Sequence, residues 1–212
     1  TCDVGGEVTL PQQIEIVYND RSANKQADVT WDESQIAAIN TEKAGSYEVT
    51  GTLEDGTEVT AHVEVEMVNY VEDTSMWNIS YTGENNPTDF QNKADDAYTG
   101  DIAFHFWSGD SDMEFSIEQE FTDLEPGIYQ LSVFAQGGDM ADDAEMELYA
   151  VSGGDEMKTP FMVTTYADWQ NPKVSGIKVT DGSLKIGVRI KCNVKSWGTV
   201  DDFTLNRISD IE

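Results

Sequence analysis

Hydrophobic and polar residues alternate with a period of two along most of the chain, the pattern of strands that bury one face. The segment SLKIGVRIKC shows it most plainly, because Leu184, Ile186, Val188 and Ile190 alternate with polar or small residues. Turn residues separate these runs, and only DESQIAAIN favours a short helical turn. The pattern therefore predicts an all-β protein.

The amino-acid composition of the alternating runs changes near residue 66. This change predicts two domains, residues 1–66 and residues 67–212. The first domain holds short alternating runs typical of a small sandwich: IEIVY, VTW, SYEVTGTL and EVTAHVEVE. The second holds four of the five tryptophans and eight predicted strands: DIAFHFWS, MEFSIEQEF, GIYQLSVFAQ, AEMELYAV, FMVTTY, SGIKVT, SLKIGVRIKC and DDFTL. Eight strands without a long helix predict a jelly-roll β-sandwich.

The first domain resembles the bacterial immunoglobulin-like domains that act as spacers in secreted multidomain enzymes. The ordered pieces VTLP, VTWD, KAGSYEVTGTL and VTAHVEV carry this resemblance. It implies a small immunoglobulin-like sandwich with Trp31 in its core. The abrupt start at TCDVGG indicates a piece of a longer protein.

The charge restricts the class of partner. With 41 acidic and 12 basic residues the formal net charge is −29, and such a surface repels nucleic acids and anionic membranes. We therefore expect a neutral or cationic partner, although the acidity is equally explained as keeping a secreted, monomeric protein soluble. Cys2 and Cys192 lie in different predicted domains, and their pairing stays open.

No pattern indicates catalysis. The chain has no Ser-His-Asp or Cys-His arrangement and no glycine-rich phosphate loop, and its many carboxylates make any glycosidase-like pair uninformative. The sequence predicts a non-catalytic protein.

A calcium ion is the first candidate ligand. In WGTVDDFTL, simple alternation puts Asp201 on the same side as Phe203 and Leu205, and an inward carboxylate needs a cation or several donors. If the first and last strands of the second domain lie side by side, Glu72 converges with Asp201 and Asp202, and oxygen ligands suit calcium. Equally open is that these acids are solvated or paired with Lys93 and Arg207.

Aromatic residues on the outer side of predicted strands indicate a sugar-binding surface, because pyranose rings pack on flat aromatic faces. Trp107 lies outside in DIAFHFWS, and Trp169 and Trp197 lie in turn-like surroundings. Arg189 and Lys191 are candidate donors to sugar hydroxyls. Each aromatic taken singly is also explained by packing under a loop.

The second domain resembles the family 61 carbohydrate-binding modules, β-sandwiches found at the ends of family 53 endo-β-1,4-galactanases. The resemblance rests on NYVED, FHFWS, FSIEQEF, LEPGIYQLSVFAQGGD, SGIKVTDGSLKIGV and WGTVDDFTL. It implies binding of β-1,4-galactan, the neutral side chain of pectin, without catalysis by the module itself. It also implies a structural calcium at Glu72, Asp201 and Asp202.

The resemblance puts the ligand site at the aromatic and QGGD positions, and with the basic residue the expected carbohydrate-binding set is Trp107, Gln136, Asp139, Trp169, Arg189 and Trp197. Galactan curves because O4 is axial, so a bent set of Trp107, Trp169 and Trp197 suits it. The leading hypothesis is a secreted, extracellular or cell-surface module that keeps a galactanase near its substrate. The alternative is a cell-wall or adhesion region that binds another glycan or a protein.

Overall fold

The computed structural model describes residues 1–4, 6–17, 23–41, 43–71 and 74–211. The chain divides into two compact units, unit 1 (Thr1–Val68) and unit 2 (Asn69–Glu212). No helix among the described residues has both the length and the apolar character needed to span a bilayer.

Unit 1 is built from one five-stranded sheet in the order β1-β5-β4-β3-β2. Its strands and helix are β1 (Cys2–Asp3), β2 (Gln13–Ile16), β3 (Lys25–Trp31), α1 (Glu33–Ala37), β4 (Gly45–Leu53) and β5 (Glu58–Glu66). Strand β3 pairs through residues 25–28 with β2 and through residues 29–31 with β4. The helical turn expected at DESQIAAIN is confirmed, because the Asp32 carboxylate caps α1 by accepting from the backbone N–H groups of Ser34 and Gln35.

Unit 2 contains two five-stranded antiparallel sheets. We name β13-β10-β15-β8-β7 the front sheet and β12-β11-β14-β9-β6 the back sheet. The strands are β6 (Asn78–Tyr81), β7 (Thr88–Asn92), β8 (Ile102–Trp107), β9 (Met113–Phe121), β10 (Gly127–Gly138), β11 (Glu145–Ser152), β12 (Asp155–Pro160), β13 (Lys173–Val179), β14 (Leu184–Cys192) and β15 (Trp197–Ser209).

The core of unit 2 lies between the two sheets. The front sheet contributes Phe104, Leu131 and Leu205, and the back sheet contributes Ile117 and the alternating apolar residues of β14, all of them buried. The alternation read from SLKIGVRIKC is thus confirmed. Burying both inner faces supplies the main stabilisation of a sandwich.

The strand predicted at FMVTTY is wrong. Residues 161–166 lie outside any strand, and the edge strand of the back sheet is β12, Asp155–Pro160, immediately before them. Its sequence DEMKTP is charged because an edge strand faces water and needs no alternation. The edge strands β6 and β7 also escaped the sequence prediction, because four or five residues give too short a run of alternation to stand out, although Ile79, Tyr81 and Phe90 pack against the core.

A bulge in β15 corrects the expected direction of Asp201. Asp201 pairs with Phe134 and Thr204 with Ser132, so Asp202 and Phe203 together oppose the single residue Val133. Asp202 takes the left-handed conformation, with φ of 46°. The extra residue reverses the alternation, so Asp201 lies on the outer face of the front sheet while Phe203 and Leu205 lie in the core.

Candidate functional site

Two rows of side chains cross the outer face of the front sheet, because residues paired across antiparallel strands share a face. The first row is polar and runs Gln136, Thr199, His105, Asp89 from β10 to β7. The next row runs Gly138, Trp197, Trp107. The pairing of β15 with β8 therefore brings two distant tryptophans side by side.

A cleft of about 540 Å³ lies over the β15, β8 and β7 members of these rows and over residues 86–88. Trp107 and Trp197 line it together with His105, Thr199 and Asp89. Gln91, Lys93 and Asp96 add further polar groups at its edge. Flat aromatic surface beside a few donors and acceptors is the usual composition of a small-molecule or sugar site.

The two tryptophans are held differently. Trp107 is 59% exposed at the end of β8, so its ring is available to a ligand. Trp197 is half-buried, and its indole Nε1 donates to Asp139 Oδ2 at 3.0 Å. Asp139 is itself fixed, because its carbonyl oxygen accepts from Asn193 Nδ2 and Ser196 Oγ. Asp139 therefore positions Trp197.

Tyr166 is a third aromatic ring near the cleft that the sequence prediction missed. It is 53% exposed, and its ring centroid lies 6.4 Å from that of Trp197. Its hydroxyl donates to the carbonyl oxygen of Asp95 at 2.7 Å. The signal in the sequence was its position in the turn-like segment TTYADW, three residues before a tryptophan already singled out.

Gln136 lies beneath covering loops and not in the cleft lining. Its Nε2 donates to the carbonyl oxygen of Asp96 at 3.1 Å, and its Oε1 accepts from the N–H of Ala167 at 2.6 Å. The side chain is buried. It ties two loops to the sheet, which is a supporting role and corrects the expectation of a direct sugar contact.

Trp169 belongs to a separate aromatic cluster. Its ring meets Tyr98 edge-on at 5.2 Å, and Tyr98 stacks on Phe134 at 3.7 Å. Phe134 lies on the outer face of the front sheet, where the ring of Tyr98, from the loop after β7, covers it. The expected bent set of three tryptophans is therefore reduced to Trp107 and Trp197, because Trp169 does not line the cleft.

Arg189 lies on the back sheet, away from the tryptophans. Its guanidinium pairs with Glu147 at 3.0 Å and Glu156 at 2.6 Å, and it lies 4.2 Å above the ring of Tyr149. These carboxylates raise the pKa of Arg189. Arg189 lines a different cleft of about 320 Å³, whose two aromatic residues are Tyr81, half-buried against the core, and Phe115, buried within it. The expectation that Arg189 joins the same site is wrong, because β14 and β15 belong to different sheets.

Backbone donors surround the Asp201 carboxylate. Oδ2 accepts from the N–H of Tyr98 at 2.7 Å and of Thr99 at 3.3 Å, and Oδ1 accepts from the N–H of Asp202 at 2.8 Å. Burial nevertheless keeps the pKa of Asp201 above its ordinary value. Asp202 accepts from the Thr99 hydroxyl at 2.7 Å. Backbone N–H groups are therefore the donors that the Asp201 carboxylate was expected to need.

The predicted calcium ligands are only partly within the described chain. The expected juxtaposition of the first and last segments of unit 2 is confirmed, since Asn69 bonds to Phe203 and Leu205. Glu72 lies outside the described residues. Within those residues no group of three or more His, Cys, Asp or Glu side chains is arranged to hold a metal. Calcium therefore stays a prediction.

The alternative ion pairs of Asp201 with Lys93 and Arg207 are not formed. Arg207 donates instead to the carbonyl oxygen of Pro126 at 2.9 Å and to Asp210. Lys93 makes no ion pair with a described residue and lies at the edge of the cleft.

The chain is similar to known proteins in both parts. A family model of the bacterial Ig-like domain (group 4) matches residues 1–57. The solved structure of TmCBM61 in complex with β-1,4-galactotriose is similar with a TM-score of 0.59 and 26% identity, covering 66% of this chain and 99% of that chain. A comparison with curated proteins found no match.

Two further solved structures match with lower scores. The enzymatically active domain of the bacteriophage CBA120 tailspike protein 4 has a TM-score of 0.51 and 14% identity, covering 66% of this chain and 21% of that chain. A structure of carbohydrate-binding modules from the β-sandwich superfamily has a TM-score of 0.46 and 9% identity, covering 77% of this chain and 74% of that chain. The predicted all-β class, with an immunoglobulin-like unit followed by a β-sandwich, is confirmed.

Proposed function

We propose that unit 2 is a non-catalytic module that binds β-1,4-galactan in the cleft lined by Trp107 and Trp197. The observation that carries this proposal is the pairing of these two tryptophans on adjacent strands, beside the polar row of Thr199, His105 and Asp89. The similarity to TmCBM61 supports the choice of glycan. It covers 99% of that chain, whose structure is a complex with β-1,4-galactotriose.

The shape of the aromatic surface also supports a curved glycan. Trp197 and Tyr166 are tilted by 39° relative to each other, and Trp107 stands beside Trp197. Rings at different angles follow a bent chain of β-1,4-linked galactose better than the flat ribbon of a β-glucan. The net charge of −29 agrees with a neutral polysaccharide ligand.

Isothermal titration calorimetry with β-1,4-linked galacto-oligosaccharides of increasing length tests the proposal. We expect affinity to rise with length until the cleft is filled, and we expect arabinan, xylan and β-glucan to bind weakly or not at all. An assay for released reducing sugar should stay at background. Absence of binding to galactan would exclude the proposal and favour an adhesion role for the same sandwich.

The wider role follows from tethering. A module joined to a galactanase in one secreted chain keeps the enzyme near its substrate and raises its effective concentration. The immunoglobulin-like match at residues 1–57 supports a spacer before the module. Fusing the chain to an active galactanase should increase hydrolysis of insoluble pectic galactan and leave hydrolysis of short soluble galactan unchanged.

We also propose a structural calcium ion held by Glu72, Asp201 and Asp202. Its support is the proximity of the Asn69 segment to Phe203 and Leu205 and the oxygen-rich character of Asp201 and Asp202. A thermal melt in calcium and again after chelation tests it. Stabilisation of unit 2 by calcium is expected, since a ligand that binds only the folded state raises its stability. An identical melt after chelation would exclude the ion.

A further inference from the structure

His105 lies in the cleft between the aromatic row and the loops that border it. Its side chain lines the cleft, and the residue is only 9% exposed. The Nε2 atom is buried and makes no hydrogen bond with any described residue. A buried polar atom without a partner is uncommon and indicates a functional constraint.

The charged groups around His105 come from two elements. Asp89 on β7 pairs with His105 on β8. Lys93 and Asp96 lie in the loop that follows β7. On the other side of His105, β15 presents Thr199, whose side chain carries no charge. Burial is the main cause that lowers the pKa of His105, and Lys93 acts in the same direction, whereas Asp96 and Asp89 oppose it.

We propose that His105 is a contact residue of the glycan site that must be uncharged for the saccharide to bind, so that galactan binding releases a proton in mildly acidic solution. This inference rests on the proposed function, because it concerns the same cleft. It adds one contact residue to the proposed galactan site. It also gives galactan binding a pH dependence, which the tryptophans cannot supply because they do not titrate.

The direction of the effect follows from desolvation. A saccharide bound over the cleft removes the remaining water from the imidazole, and this disfavours the charged form further. The pKa of His105 is therefore lower in the complex than in the free protein, where it already lies below the ordinary 6.5. At pH values above both of these lowered pKa values the residue is neutral in both states and affinity is constant.

As the pH falls through the lowered pKa of the free protein, His105 takes up a proton that the complex cannot keep. Affinity for galactan then falls as the pH falls, with a limiting slope of about tenfold per pH unit for one linked proton. Isothermal titration with β-1,4-galactotriose between pH 5 and pH 8 measures this slope. Repeating each titration in two buffers of different ionisation enthalpy measures proton release on the unmodified protein, without any substitution.

Two variants assign the proton to one residue, because the chain has only two histidines. His105→Gln removes the titration and keeps a polar side chain, and its galactan affinity should not depend on pH in this range. His62→Gln is the matched control. His62 lies in unit 1, exposed beside Glu48, so this variant should keep the full pH dependence.

The outcomes separate the inference from the proposed function. Release of a proton at the acidic end of the measured range, together with a flat profile for His105→Gln, supports the inference. Galactotriose binding that is independent of pH, or that strengthens in acid, overturns it and leaves galactan binding intact. Absence of binding at every pH overturns both. If His105→Gln does not fold, proton release by the unmodified protein decides the question.

Discussion

Trp107 and Trp197 stand side by side, yet their contacts give them different parts of one surface. Trp107 is exposed and makes no ring pair with another described aromatic residue, so little in the fold depends on it. Trp197 is anchored by Asp139 and approached by Tyr166. The cleft therefore offers one free ring and one fixed ring.

Replacing Trp107 by alanine should weaken galactan binding at least tenfold, a loss of about 1.4 kcal/mol, because the exposed ring supplies stacking area. Its melting temperature should barely change. Trp77→Ala is the control, since Trp77 packs on Phe203 at 4.3 Å and its loss should cost about 3 kcal/mol of stability. Unchanged affinity in calorimetry of Trp107→Ala would move the binding surface elsewhere.

Replacing Asp201 by asparagine should destabilise unit 2 by about 1–3 kcal/mol, because both carboxylate oxygens accept backbone N–H groups and an amide NH₂ repels one of them. Denaturant melts with and without chelator measure this cost. A cost that is equal in both melts assigns the loss to the hydrogen bonds. A cost that vanishes after chelation assigns it to a bound metal.

At the scale of elements, the site depends on how closely β10 and β15 approach. Gly137 pairs with Gly198, and a Cβ on Gly137 would collide with the carbonyl oxygen of Trp197. Glycine at both positions lets the two backbones approach closely beside Trp197, the first residue of β15. The two glycines thereby fix the position of Trp197 relative to β10.

Gly137→Ala should therefore push Trp197 out of place. We expect a loss of stability of about 1–3 kcal/mol and weaker galactan binding, because the colliding atom belongs to the backbone and cannot rotate away. Ser132→Ala, on the same strand but distant from the cleft, should preserve both. Circular dichroism melts and calorimetry on the two variants check this, and normal binding by Gly137→Ala would contradict the close approach.

At the scale of the whole molecule, every residue that lines the cleft belongs to unit 2. A protein comprising residues 69–212 should therefore fold and bind galactan with an affinity within about twofold of the full chain. Unit 1 has its own buried residues, among them Val49 and Val63, and should fold without binding galactan. Loss of binding by residues 69–212 would show that the site needs unit 1.

The sequence by itself determined the all-β class, the division into two parts and the inner face of strands such as β14, because alternation and turn residues are local properties that burial imposes on each strand. It also placed Trp107 on the outer face. It failed at edge strands such as β12, where solvent on the outer side removes the need to alternate.

Only the tertiary structure decided which residues meet. The bulge at Asp202 turned Asp201 away from the core, and a bulge depends on the partner strand as much as on its own sequence. Trp107 and Trp197 came together because β8 and β15, distant in sequence, are neighbours in the front sheet, whereas Arg189 on β14 went to the back sheet. Side-chain contacts across non-consecutive strands follow from sheet order, which alternation along one strand does not encode.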